Sequence, residues 1–170
     1  MSWLKAMNPT APINGEAEAL RAARASAFSI FIGVAVGVVS TAWSFVNAGD
    51  TLAAASENVD AATTAIAAAS IQVIFGLGIA LVVVQLGFAI VQWRDPKKFI
   101  AILFLVMIAL GLLMVLAAPM AASMAPTAAP PTPMWQIALS AVIMLIQAAL
   151  HITGLRGINK LDALQMEAAR

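Results

Sequence analysis

The residues of this chain best suited to chemistry share one stripe. Gln136, Ser140, Gln147 and His151 fall within about 60° of one another at 100° per residue, so a helix would present them together. Such a stripe in an apolar segment has two readings. It is a set of interhelical hydrogen bonds, worth ~0.6–2 kcal/mol each, or it is one wall of a solute path or binding site. Hydrogen bonding is favoured, because a lipid-facing glutamine is costly and any packed partner relieves the cost. Gln85 and Gln92, seven residues apart in an earlier apolar segment, carry the same two readings.

His151 is the only histidine. It could ligate haem or a metal only with help from another chain or from a different ligand type, and a single hydrogen-bonded imidazole is the commoner state. Ser140 and His151 share a helix but lie about 16 Å apart along it, too far for a nucleophile–base pair. Met114, Met120, Met124 and Met134 cluster in sequence, and thioethers bind Cu(I). Methionine is also a routine packing residue, and no Cys or His accompanies this group. Cysteine is absent, which excludes disulfides, thiolate metal sites and thiol catalysis. No P-loop, H-E-x-x-H or Ser–His–Asp set is present. No cofactor or metal site is expected, and a non-enzymatic role is favoured over a membrane redox or lipid-modifying enzyme that would use His151.

A second feature concerns packing. Ser29, Gly33, Gly37 and Thr41 are spaced by four and form one ridge of small residues, with Gly33 and Gly37 as a GxxxG motif. Such ridges let two helix backbones approach closely. A partner within the chain is favoured over a partner in another, since several apolar helices must already pack. Gln85, Gln92 and Gly78 mark one face of the second apolar segment, and Gln72, Gly76, Ala80 and Gly87 another. That segment is expected to be contacted from both sides, and the third, with no polar side chain, to be the most lipid-exposed.

The elements that carry these residues follow from composition. Of 170 residues, 62% are hydrophobic and 10% are charged, against about 25% charged in soluble domains. So few charges cannot solvate so much apolar side chain, so lipid must be the solvent for much of the surface. Net charge is +1, which gives no pull toward nucleic acid. About 20 apolar residues in a helix cross a hydrocarbon core of roughly 30 Å. Four windows qualify, 27–47, 66–91, 99–118 and 135–155, and none contains Asp, Glu, Lys or Arg. Open strands cannot sit in lipid, so these windows are helices. Uncharged spans exclude an intramembrane proton relay, a voltage sensor and a charged ion site.

All nine basic residues fall on one side of these windows. Lys5, Arg21 and Arg24 precede the first, Arg94, Lys97 and Lys98 join the second to the third, and Arg156, Lys160 and Arg170 follow the fourth. The other two loops have none, which makes both termini cytoplasmic by the positive-inside rule. Trp43, Trp93 and Trp135 sit at window ends, where indole prefers the membrane interface. A signal peptide cut after Val46-Asn47-Ala48 is disfavoured, because the apolar run is long and about 25 residues precede it.

The connecting segments read as follows. Residues 1–14 are expected to be extended, with Asn14 capping a helix from Gly15 that runs unbroken into the first window. Leu52, Val59 and Ile66 recur every seven residues, giving a helical extension of the second window. Residues 93–98 form a tight turn. Residues 119–133, with five prolines, are irregular. The tail restarts as a short helix capped by Asn159.

The expected fold is all-α, a four-helix transmembrane bundle with helical extensions outside the bilayer. Residues 1–26 form a cytoplasmic segment, 27–155 the transmembrane domain and 156–170 a cytoplasmic tail. The alanine-rich composition is associated with bacteria of GC-rich genome, so a bacterial inner membrane is the expected bilayer. The expected function is an accessory, assembly or scaffolding subunit working with other membrane-protein subunits. The alternative is a small homo-oligomeric transporter or channel for an uncharged or small solute. Because the chain lacks cysteine, single introduced thiols map its topology without background. Lys97→Cys should be protected from a membrane-impermeant maleimide in intact cells, and Asp50→Cys should be labelled. The opposite pattern would invert the orientation.

Overall fold

A computed structural model of the chain describes residues 2–56, 60–124 and 133–170. Every element described is a helix: α1 (Trp3–Ala6), α2 (Glu16–Ala23), α3 (Ala25–Val46), α4 (Ala48–Ser56), α5 (Ala61–Arg94), α6 (Lys98–Met124) and α7 (Met134–Ala168). Four stretches are long and apolar enough to cross a membrane: Glu16–Val46, Ala61–Arg94, Lys98–Ala117 and Met134–Ala168. Helix satisfies each backbone N–H and C=O within its own segment, as a span in hydrocarbon requires. The chain is an all-α, multi-pass membrane protein with four candidate spans.

The helices divide into two compact units, Met1–Ile30 with Phe88–Arg170, and Phe31–Gly87. In the first, α7 packs along both α2 and α6. The contact with α2 and the start of α3 is the tightest. Ala19, Ala22, Ala23 and Ser26 are buried against Gly154 and Gly157. A Cβ on Gly154 would lie 2.5 Å from Ser26 Cβ and 2.9 Å from Ser26 N. A Cβ on Gly157 would run into the backbone of Ala19, Ala22 and Ala23. Below this crossing Ala23, Ala101 and Ile158 form an apolar cluster, flanked by Leu155 and Leu161.

The N-terminal segment folds onto this unit instead of extending away. Ser2 Oγ accepts from Lys5 N to cap α1. Trp3 then stacks on Trp93 at 5.8 Å and meets Phe28 edge-on at 5.6 Å. Phe28 and Trp93 complete the triangle at 5.1 Å. Further on, Thr153 Oγ1 donates to Met7 O and Arg156 Nη2 to Ala11 O, which fixes the segment to α7. Pro9 and Pro12 do exclude a long helix here, but α1 and these docked carbonyls correct the extended reading of residues 1–14.

In the second unit α3 meets the first part of α5. Gly37 faces Val82, whose Cγ2 lies 2.9 Å from where a Cβ would stand. Gly78 faces Thr41 in the same way, at 3.3 Å from Oγ1. Phe45 and Phe75 meet edge-on at 5.6 Å.

Several boundaries differ from expectation, each for a local reason. The cap of α2 is Gly15, and Asn14 contributes its backbone N–H to Glu18 Oε2 at 3.0 Å. A break at Arg24 separates α2 from α3. α5 begins after Asp60, whose carboxylate accepts Thr63 N at 2.7 Å. That bond favours the ionised cap and lowers the Asp60 pKa. Leu52 and Ile66 therefore lie on separate helices, and Val59 lies outside the described residues. α6 continues through Pro119 to Met124, beyond the expected end at Ala118, and residues 125–132 of the proline-rich loop lie outside the described residues. α7 runs unbroken past Asn159, which caps nothing. The close crossing at Gly157 holds the tail in line with the span.

Adding one methyl at this crossing is expected to destabilise strongly. Gly157→Ala should cost about 1–3 kcal/mol in denaturant unfolding from mixed micelles. Gly49→Ala, with nothing within 4 Å of the new Cβ, should be neutral or gain up to about 1 kcal/mol of helix propensity.

Candidate functional site

The polar side chains inside the apolar helices are the candidates, and the structure separates them into three groups. The first group joins helices. Gln147 on α7 and Ser29 on α3 are both buried. Gln147 Nε2 donates to the Ser29 carbonyl at 3.0 Å, and Ser29 Oγ donates to the Gln147 carbonyl at 3.0 Å. Each side chain thus reaches the backbone of the other helix, a reciprocal pair that holds α3 and α7 in one register.

Gln92, near the end of α5, forms the second join. Its Nε2 donates to Ser26 Oγ at 2.7 Å, and Ser26 Oγ donates to Ala23 O at 2.8 Å. The Gln92 Oε1 accepts Lys97 N at 2.9 Å from the turn that starts α6. One glutamine therefore ties α3, α5 and the α5–α6 turn together. Arg24 reinforces the same corner. Its Nε donates to Trp93 O at 3.1 Å, which satisfies a carbonyl at the end of α5, and its guanidinium carbon lies 5.2 Å from the centre of the Trp93 ring. Lys97 and Asp95 pair at 2.6 Å on the exposed turn, where an ion pair adds little.

The second group has no such role. Gln136 is exposed, and Ser140 and Gln85 are half-buried. The stripe on α7 is therefore not one continuous wall: its Gln147–His151 end is enclosed and its Gln136 end is open. The small-residue ridge also divides. Ser29 belongs to the first unit, whereas Gly37 and Thr41 meet Val82 and Gly78 in the second, and Gly33 is half-buried. On α5, Gly76 and Gly87 have nothing within 4 Å of a Cβ position, and Gln72 and Ala80 are exposed. Of the two marked faces of this helix, the one with Gly78 is contacted and this one is open. Beside it a groove of about 660 Å³ is lined by Val38, Thr41, Phe45, Gln72, Phe75 and Val82 among others. Its walls are almost wholly apolar.

His151 forms the third group alone. It is 0% exposed, stacks against Phe104 at 6.0 Å and 13°, and neither ring nitrogen has a hydrogen-bond partner among the described residues. Among the described residues no group of three His, Cys, Asp or Glu could hold a metal. Met114, Met120 and Met134 are exposed, and the side chain of Met124 lies outside the described residues.

Sequence reading missed Ser26, Thr153, Gly154, Gly157 and the Trp3–Phe28–Trp93 triangle. A signal for the glycines was present: Gly154 and Gly157 are three apart, and Ala19, Ala22, Ala23 and Ser26 repeat at three and four. The aromatic triangle had no such signal, because it joins residues distant in sequence.

The three groups should separate in unfolding experiments. Gln92→Leu removes the acceptor of the Lys97 N–H and should cost about 1–3 kcal/mol. Gln147→Leu leaves Ser29 Oγ bonded to the residue 147 carbonyl and should cost nearer 0.6 kcal/mol. His151→Phe removes two unpartnered nitrogens and should leave stability unchanged or raise it. A large loss in His151→Phe would show that the imidazole has a partner.

Comparison of the chain with protein-family models, with curated proteins and with solved structures finds no match.

Proposed function

We propose that the chain is a non-enzymatic, structural subunit of a bacterial inner-membrane complex, with both termini in the cytoplasm. The carrying observation is where its polar and small residues sit. Gln92 and Gln147 join helices of this chain to one another. Gln72, Gly76, Ala80 and Gly87 instead share one face of α5, within about 80° at 100° per residue, with Gln72 and Ala80 exposed and open space over both glycines. An exposed amide in hydrocarbon calls for a protein partner, and small residues beside it allow that partner's backbone to approach. The placement of every basic residue at one boundary supports the orientation. In this reading residues 1–26 and 156–170 are the cytoplasmic parts, and 27–155 is the membrane domain.

The alternative of a small homo-oligomeric transporter or channel needs the α7 stripe to line a path. The pairing of Gln147 with Ser29 supports the subunit reading instead, since it gives that amide a structural partner.

Purification in mild detergent, followed by mass spectrometry, should recover stoichiometric membrane partners. Gly76→Leu and Gly87→Leu should each release them while leaving the chain folded, because neither new side chain meets an atom of this chain within 4 Å of its Cβ. A monodisperse, partner-free monomer from the wild-type chain would overturn the proposal.

A further inference from the structure

Two clefts at the basic ends of the helices differ in charge. The larger, about 410 Å³, is lined by Arg94, Lys97 and Lys98 and equally by Glu16, Asp95 and Asp162. Its charges balance, and Lys97 and Asp95 already pair. The smaller, about 320 Å³, is lined by Ile13, Arg156, Asn159 and Lys160. It holds two cations and an amide and no carboxylate.

We propose that this smaller cleft binds the phosphate of an anionic phospholipid. Arg156 and Lys160 are four residues apart on α7, so both project over one face of the helix, and Asn159 adds a donor beside them. Among the described residues no carboxylate pairs with either cation. Arg156 is half-buried, and its bond to Ala11 O at 3.3 Å holds the guanidinium in place while its other N–H groups remain for an acceptor. A planar guanidinium fixed in this way suits phosphate oxygens, and a flexible ammonium adds charge. Ile13 supplies an apolar wall. The cleft begins directly after Leu155, where the charge-free window 135–155 ends, at the depth expected of headgroup phosphates. The lipid as the source of the phosphate rests on that membrane placement and does not depend on a protein partner. Basic pockets at this boundary attract anionic headgroups with a gain of roughly fivefold per cation.

Native mass spectrometry of the full chain, released from micelles containing phosphatidylglycerol or phosphatidylcholine, tests this. The wild-type chain should retain phosphatidylglycerol and not phosphatidylcholine. Retention should fall by roughly fivefold in Lys160→Gln and by roughly 25-fold in Arg156→Gln/Lys160→Gln. Lys160→Gln is the decisive variant, since Lys160 has no bond among the described residues whose loss would unfold the chain. Lys97→Gln/Lys98→Gln, in the balanced cleft, should retain the lipid as the wild type does. Equal retention of both lipids, or undiminished retention in Lys160→Gln, would overturn the proposal. Displacement of the lipid by millimolar inorganic phosphate would overturn the lipid as the source. A partner-free monomer that still retains phosphatidylglycerol would refute the subunit role and leave this site standing.

Discussion

At Gly157 the backbone of α7 lies so close to that of α2 that no side chain can stand between them. The rest of the first unit depends on this contact. Helices in a bilayer gain little from hydrophobic association, because lipid tails are as apolar as leucine. What remains is dispersion, which falls off within an ångström or so of contact distance. Glycine on one helix and alanine on the other bring whole backbones into that range. Around the same crossing α7 continues unbroken, and Thr153 and Arg156 donate to carbonyls of the N-terminal segment.

Close approach also decides which polar groups find partners. Ser26 and Ser29 follow the alanine ridge, so the crossing brings them within reach of Gln92 and Gln147. A glutamine in a medium of low dielectric gains from any acceptor, including a carbonyl already bonded within its own helix. Both glutamines use such short, direct contacts. His151, on the same helix, lies where the neighbours are apolar, and Phe104 covers its ring. It is the one buried side chain among those described whose polar atoms lack partners.

The contrast between the two units bears on function. The first unit matches its buried amides and hydroxyls to partners from the same chain, leaving His151 as the exception. The second presents long apolar helices whose exposed face on α5 combines Gln72 with two glycines under open space. The apolar windows themselves carry no ionisable side chain apart from His151, and the chain has no cysteine. The exposed face of α5 is the observation on which the proposed subunit role rests.

The sequence by itself determined the membrane class, the four apolar helices and the exclusion of every basic residue from the apolar windows and from the loops after the first and third. These follow from burial cost per residue, which is a local property, and they needed no knowledge of contacts. The break between the second and third apolar helices near Pro96 was legible for the same reason, whereas the polar side chains inside the windows carried two readings, a solute path or interhelical hydrogen bonds. Local signals misled where a distant contact outweighed them. Asn159 is a good cap in isolation, yet the crossing at Gly157 carries α7 through it. Pro9 and Pro12 forbid a long helix, yet donors from α7 dock the segment between and around them. Only the tertiary structure decided which helices meet, that the ridge from Ser29 to Thr41 serves two different units, and that Arg156 and Lys160 share a cleft free of carboxylates. Those outcomes depend on distances between residues far apart in the chain, and no pattern confined to one helix encodes them.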